Sequence, residues 1–508
     1  MRNLLACVAA AAAGLSTPAS GAWHVAESKH FVIYSDDDQN RLRDFATRLE
    51  KFDKAVRIVR AMGDPALTPS RRLTVFVVKN EAAIEKLMGF EGVRGMYVGR
   101  AGGSFAFVPR KSGDGSRFDL GSEAVFFHEY AHHLQLQQAN GMLPVWFVEG
   151  FAEFFATAKI QDDGSVLIGS VPLYRGWGLQ DSYTNLSLEQ VVGQTFKDLD
   201  GAQTERLYAL GWLLTHYLTF DASRKGQLEK YLAAIQKGTP PLDAAKYAFG
   251  DLRKLSLDVR QYKQVRLTAL EIAARALAVD AIAVRPLGMG EAAIMSVRIR
   301  SARGVDKSEA PRVAGDARKV AQAYPDDASV QTVLAEAELD AKNPAAADSA
   351  AGRALALKPD LVPALMLKGR AQLDLAKKNA ASANWAAIRQ WFLDANKVDT
   401  ENAAALMTFY ETFADAGQRP TKNAIEALLY AQALAPQDED LRLAAFRQLV
   451  TDKRLEEAKS VFAPLAFRPH GSTKWRRLSD GVLAALNKGD GNAVLTLLDE
   501  NKKLLGDD

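Results

Sequence analysis

The 508-residue chain has a single cysteine, Cys7. Without a second thiol it can form no internal disulfide, so packing, hydrogen bonds or a bound metal must hold the fold. Neither sign of charge is in excess: 64 basic residues stand against 61 acidic ones. That even mixture lacks the concentrated Lys and Arg of a nucleic-acid surface, and no nucleic-acid partner is expected. Long apolar runs are also missing. After the first residues none approaches the roughly 18 that a membrane span requires, so no stable span is expected. Histidine is scarce, seven in all, yet three fall between positions 128 and 133.

The length allows at least two domains, each with its own core. The opening stretch MRNLLACVAAAAAGLSTPASGAWHV has Arg2, an apolar run from Leu4 to Leu15 and small residues up to Ala22, which is the layout of a secretory signal peptide. Cleavage there would leave Trp23 first and the protein periplasmic or secreted. Leu4-Leu5-Ala6-Cys7 loosely resembles a lipoprotein signal, but almost no apolar stretch precedes the cysteine, and an exported soluble protein is the better reading.

From residue 23 to 265 short elements alternate. His30 to Ser35 and Leu73 to Val78 read as strands, and Asn40 to Met62 as an amphipathic helix carrying Leu42, Phe45, Leu49, Phe52 and Val56. Gly95 to Arg100 and Ser104 to Pro109 read as a strand pair joined by Ala101-Gly102-Gly103. Helical patterns take over from Ser122. Residues 266–307 form a connector or small packing module with a strand expected at Ile294 to Ile299. Residues 308–508 are alanine- and leucine-rich helices punctuated by Pro325, Pro359, Pro436 and Pro469, with spacings of 34 and 33 residues within the two pairs. Val398-Asp399-Thr400 fills the missing turn if one repeat has a short insertion. This resembles a tetratricopeptide solenoid, whose stacked helix pairs leave a concave face for a protein partner. The alternative is an ordinary helical domain whose prolines start helices.

The stretch HEYAHHLQLQQANGMLPVWFVEGFAE, His128 to Glu153, carries the chemistry. On a helix His128 and His132 share a face one turn apart, and Glu129 beside them can reach a metal-bound water. A catalytic zinc site adds a third protein ligand and keeps one position open. Separated from His132 by sixteen residues, Glu149 can supply it from a second helix packed antiparallel after the turn at Asn140-Gly141 and Leu143-Pro144. Glu153, one turn further, either holds a ligating histidine by its free ring nitrogen or is a solvated acid. His133 points about 100 degrees away from His132 on a helix and is expected to be partly exposed or hydrogen-bonded rather than a ligand. His24, His30 and His470 show no neighbouring ligand pattern.

The run His128-Glu129-Tyr130-Ala131-His132 followed by Trp146-Phe147-Val148-Glu149-Gly150-Phe151-Ala152-Glu153 resembles the gluzincin metallopeptidases, nearest to the bacterial branch called peptidase MA-like. The resemblance covers roughly residues 27 to 262. It implies an α+β, zincin-like metallopeptidase domain ahead of the all-α tetratricopeptide-like solenoid, with His128, His132 and Glu149 binding Zn2+ and Glu129 as general base. The segment Tyr208 to Leu218, YALGWLLTHYL, is similar to a further family helix, and Tyr208 matches the tyrosine that donates a hydrogen bond to the oxyanion. Tyr208 can equally be an aromatic core residue on a stripe with Trp212 and His216. The family's aminopeptidases carry a Gly-x-Met-Glu-Asn stretch whose glutamate captures the substrate amine. Here Ala101 to Phe107 has no acid, so an endopeptidase acting on peptides or proteins is the expectation, with Gly102 to Phe107 as an edge strand above the metal. The alternative function is a catalytically silent, metallopeptidase-like protein acting as a repeat-based binding or assembly factor.

Overall fold

The computed structural model describes residues 23–91, 93–110, 121–137, 142–196, 198–265, 267–466 and 472–505. The expected signal peptide and His470 lie outside them. β1 (His24–Glu27) and β2 (Phe31–Ser35) pair antiparallel, and α1 (Gln39–Arg60) follows. Asp38 starts α1 by accepting from the backbone N–H groups of Asn40 and Arg41, and Ala61, in the left-handed region, ends it. Next come β3 (Leu73–Val78), α2 (Glu81–Met88) and a hairpin, β4 (Met96–Val98) and β5 (Phe105–Pro109). Then follow α3 (Ser122–Gln137), α4 (Val145–Ala156), the short strands β6 (Lys159–Ile160) and β7 (Val166–Ile168), and helices α5 (Leu188–Gly193), α6 (Gly201–Phe220), α7 (Gln227–Gln236), α8 (Pro241–Phe249) and α9 (Leu252–Tyr262). β8 (Leu270–Ile272) pairs with β7, and β9 (Ala283–Pro286) pairs with β1.

The large sheet runs β4-β5-β3-β2-β1-β9, parallel across β2-β3 and β3-β5. β5 is therefore paired on both sides. The edge strand expected at Gly102 to Phe107 is interior, and the edge belongs to β4, because the hairpin folds its first strand outward. The two-residue period divides the faces. Phe31 and Ile33 meet α1 and α3, where Phe52 stacks on Phe127 with ring centroids 3.8 Å apart and Phe31 packs on Tyr130 at 5.0 Å. Tyr34, Phe76 and Phe107 face the other way.

That second face is covered by α10 (Met289–Arg303), which replaces the strand expected at Ile294 to Ile299. The apolar run misleads because this helix is buried on two sides. Met295 and Ala302 pack on the sheet, while Ile294 and Val297 pack on the first repeat helices, so apolar residues recur too often for a one-sided helix.

The repeat region comprises α11 (Ala310–Ala323), α12 (Ala328–Asp340), α13 (Pro344–Leu357), α14 (Val362–Lys377), α15 (Trp385–Val398), α16 (Ala403–Asp415), α17 (Lys422–Leu434), α18 (Glu439–Thr451), α19 (Leu455–Ala466), α20 (Thr473–Asn487), α21 (Gly491–Glu500) and α22 (Lys502–Leu505). Each helix packs on the next in sequence, as a solenoid requires. Asp327 and Asp438 cap α12 and α18 at equivalent turns, and Gln331 and Arg442 reach back to the carbonyls of Pro325 and Pro436 with the same six-residue offset. The extra residues of the longer repeat sit between α14 and α15. A mixed α+β region thus precedes a largely α-helical repeat region.

The repeat turns dock onto the sheet region. Asp438 Oδ2 accepts from the Ala101 N–H at 2.6 Å, Gln437 Nε2 donates to Ser104 Oγ at 3.3 Å, and Asp399 Oδ2 accepts from the Ser70 N–H at 3.0 Å. Ala101 is buried among Ala403, Leu428 and Leu434. The β4-β5 turn is thereby wedged against three repeat helices.

Candidate metal centre

α3 is a helix because Phe126, Phe127, Tyr130 and Leu134 form a stripe that the sheet and α1 bury. With that stripe fixed inward, His128 and His132 fall on another face, toward α4. α4 begins after Pro144 and buries Trp146, Phe147 and Phe151, which turns Glu149 toward α3. The three candidate ligands converge. His128 Nε2 and His132 Nε2 are 3.0 Å apart, and Glu149 Oε2 lies 3.4 Å and 3.6 Å from them. Donors at zinc–nitrogen and zinc–oxygen bond lengths of about 2.1 Å around a tetrahedral ion stand roughly 3.4 Å apart, so the set fits zinc. The Glu149 carboxylate is fully buried, and such a charge is costly without a cation to face it.

Glu153 is also buried, which removes the reading as a solvated acid. Its Oε1 stands 3.2 Å from His128 Nδ1, leaving Nε2 of that ring to face His132 and Glu149, where it could hold a metal. Two residues without a sequence signal hold Glu153 in turn: the Tyr174 hydroxyl donates to Oε2 at 3.0 Å and Arg175 donates to Oε1 at 2.7 Å. Burial raises the pKa of Glu153, but the bond with His128 and the Arg175 charge more than reverse that, to about 2. Burial pushes His128 down, yet its bonds to Glu149 and Glu153 carry it up to about 10. Glu149 falls well below the carboxylate range because the two imidazoles outweigh its burial. The protein-only site thus attracts positive charge strongly.

Glu129 lines the same cavity and has no hydrogen bond among the described residues, so its carboxylate is available. Tyr208 lines it too, with its ring 6.1 Å from that of His128; burial and then the nearby Glu149 charge push its hydroxyl well above its ordinary range. Tyr208 is brought there by α6 crossing α4 at a glycine pair, Gly150 and Gly211. His133 is buried, within 2.6 Å of the Tyr97 hydroxyl and 2.9 Å of the Gln137 amide, and its pKa drops to about 3 through burial. His216 is a core residue, fully buried.

The cavity measures about 360 Å³. Leu136, Leu143 and Val148 line it from α3, α4 and the turn between them, Tyr97 from the edge strand β4, and Pro436, Gln437, Arg442 and Leu465 from the repeats. The repeat wall has no counterpart in the sequence reading, since a long stretch of chain separates it from the ligands and no motif marks it.

A second cluster compatible with metal coordination, His30, Asp53 and Asp64, gives His30, for which no neighbouring ligand pattern is expected, candidate co-ligands brought in from 23 and 34 residues away. Arg57 donates to Asp53 at 2.7 Å, Lys29 lies 2.6 Å from Asp64, and Glu50 bonds His30 Nδ1 at 2.7 Å, so these acids already face cations. The cluster supports α3 from below through the Tyr130 hydroxyl, which donates to Asp53 at 2.8 Å.

No family model and no curated protein matches the chain. Among solved structures it is similar to one described as the functional characterisation of Pseudomonas aeruginosa pilF, with 15% identity and a TM-score of 0.33 over 43% of this chain and 94% of that one. It is also similar to TTC0263, a thermophilic TPR protein of Thermus thermophilus, with 16% identity and a TM-score of 0.32 over 38% of this chain and 100% of that one.

Proposed function

We propose that the protein is a zinc-dependent peptidase of the gluzincin kind that acts within polypeptide chains. The observation that carries this reading is the convergence of His128, His132 and Glu149 at metal-ligand spacing, with the Glu129 carboxylate lining the same cavity. Zinc bound there would supply Lewis acidity toward a water and the scissile carbonyl. The chain supplies the rest. Glu129 takes the proton of the attacking water and hands it to the leaving amine. Tyr208 donates toward the oxygen on which negative charge develops, adding to the electrostatic stabilisation there. Glu153 holds His128 in the tautomer that presents Nε2. β4, the edge strand of the large sheet, with Tyr97 at the cavity, offers unpaired backbone groups to an extended substrate, and no acid from Ala101 to Phe107 is present to select a free amine.

Metal analysis of the purified protein is expected to find one zinc per chain, lost in His132→Ala. Product mapping by mass spectrometry on matched free and N-acetylated peptides is expected to show internal cleavage in both. Release of single N-terminal residues, abolished by acetylation, would overturn the endopeptidase reading.

A second reading has its own support. Repeat regions of this kind mediate protein interaction, and here one forms a wall of the metal cavity. On that reading the chain is a repeat-based binding or assembly factor whose metal site is silent. Zinc binding without cleavage of any peptide in a broad library would favour it.

A further inference from the structure

Arg175 sits where two parts of the candidate site meet. Its guanidinium donates through Nη2 to Glu153 at 2.7 Å and through Nη1 to Glu205 at 2.5 Å, and its Cζ lies 4.9 Å from the centre of the Tyr208 ring. Glu153 is the carboxylate on His128 Nδ1, and Tyr208 lines the same cavity as Glu129 from another helix. The side chain is largely buried, reached from the short helical turn at Leu173–Arg175 rather than from either helix it bridges. A planar fork that pairs two carboxylates and lies over an aromatic face is a task for arginine, and lysine cannot do all three at once.

We infer that Arg175 is a positioning residue that sets the metal ligand His128 and the oxyanion donor Tyr208 in one geometry. The inference rests on the proposed metal site. It acts on the metal through Glu153, by fixing the carboxylate that orients the imidazole. It acts on the reaction through Tyr208, by holding the ring at the angle from which its hydroxyl reaches the cavity. A residue that only stabilised the fold would show neither effect once the variant is folded.

The test compares wild type, Arg175→Met and Arg175→Lys for zinc affinity by chelator competition, for the visible spectrum of the cobalt-substituted protein, and for kcat and KM on one cleaved peptide. Arg175→Met leaves Glu153 on His128 but no longer held by the guanidinium, so zinc binding is expected to weaken by up to about 10-fold, the low end of the cost of losing a ligating histidine's carboxylate partner outright, and the cobalt spectrum to change. Arg175→Lys is expected to keep charge on Glu153 and hold zinc within about 3-fold of wild type. It is also expected to lose roughly 10-fold in kcat with KM little changed, because the contact with the Tyr208 face is gone. If Arg175→Met fails to fold, the kcat loss in zinc-loaded Arg175→Lys decides. Wild-type zinc affinity and kcat in every folded variant would overturn the inference while leaving the metal site intact. A wild-type protein that binds no zinc would remove both.

Discussion

Gly150 of α4 and Gly211 of α6 meet without side chains between them. A Cβ on Gly211 would stand 2.6 Å from the Trp146 carbonyl oxygen and 3.0 Å from the Gly150 Cα. That close crossing puts Glu149 and Tyr208, which flank the two glycines, at the same cavity. Gly211→Ala must push the helices apart, and overpacking of this kind costs about 1–3 kcal/mol. The expected result is a lower urea midpoint with an unchanged slope, together with a reduced zinc content.

Asp438 ties the repeats to the β4-β5 turn and also caps α18, accepting from the Leu441 N–H at 2.8 Å. Asp438→Ala removes both bonds, at about 1–2 kcal/mol for the cap alone. Amide exchange is expected to quicken at Ala101 and along β4, the strand that borders the cavity. Unchanged protection there would mean that the docking contact contributes nothing to the edge strand.

The repeat region is expected to fold apart from the rest, and its boundary is testable. α10 gives Ile294 and Val297 to the first repeat core. A fragment starting near residue 288 should therefore be helical by circular dichroism and melt several degrees above one starting near residue 308, which leaves that core uncovered.

His216 gives a pH dependence independent of the metal. The ring is fully buried, its Nε2–H donates to the Thr268 carbonyl at 3.0 Å and its Nδ1 accepts from the Tyr262 hydroxyl at 2.9 Å. Burial lowers its pKa to about 4, against about 6.5 in an unfolded chain. Above pH 6.5 both states are neutral and its contribution is complete. As pH falls from 6.5 toward 4 only the unfolded chain takes up the proton, so stability drops, by roughly 2 kcal/mol at pH 5. The stability gap between wild type and His216→Gln should narrow by that amount between pH 7.5 and pH 5 in urea titrations. An unchanged gap would place the proton on His216 in the folded state.

Local periodicity is what makes the ligand set legible. His128, Glu129 and His132 are four residues apart at most, so helix geometry places them together, and Glu149 and Glu153 share one face of the next helix, which has only to pack back on the first. Arg175 and Tyr174 lie on a three-residue helical turn, too short to show a period. Pro436 and Gln437 reach the cavity only through the packing of a whole solenoid against the hairpin. α10 reads as a strand because two buried faces erase the helical pattern, and β4 displaces β5 at the sheet edge because hairpin order is set by pairing, not by composition. Gly211 carries no signal in isolation; its role exists only opposite Gly150.

The most direct measurement is hydrolysis of a mixed peptide library by zinc-loaded wild type and zinc-loaded Glu129→Gln, with metal content measured in both. On the proposed mechanism Glu129 is a base and not a ligand, so the variant is expected to keep its zinc and its fold while losing about 10²- to 10⁴-fold in rate, the usual contribution of a positioned base. Equal hydrolysis by the two proteins, or less than about a tenth of an equivalent of zinc in the wild type after zinc is supplied, would contradict a zinc site at His128, His132 and Glu149 that works through Glu129.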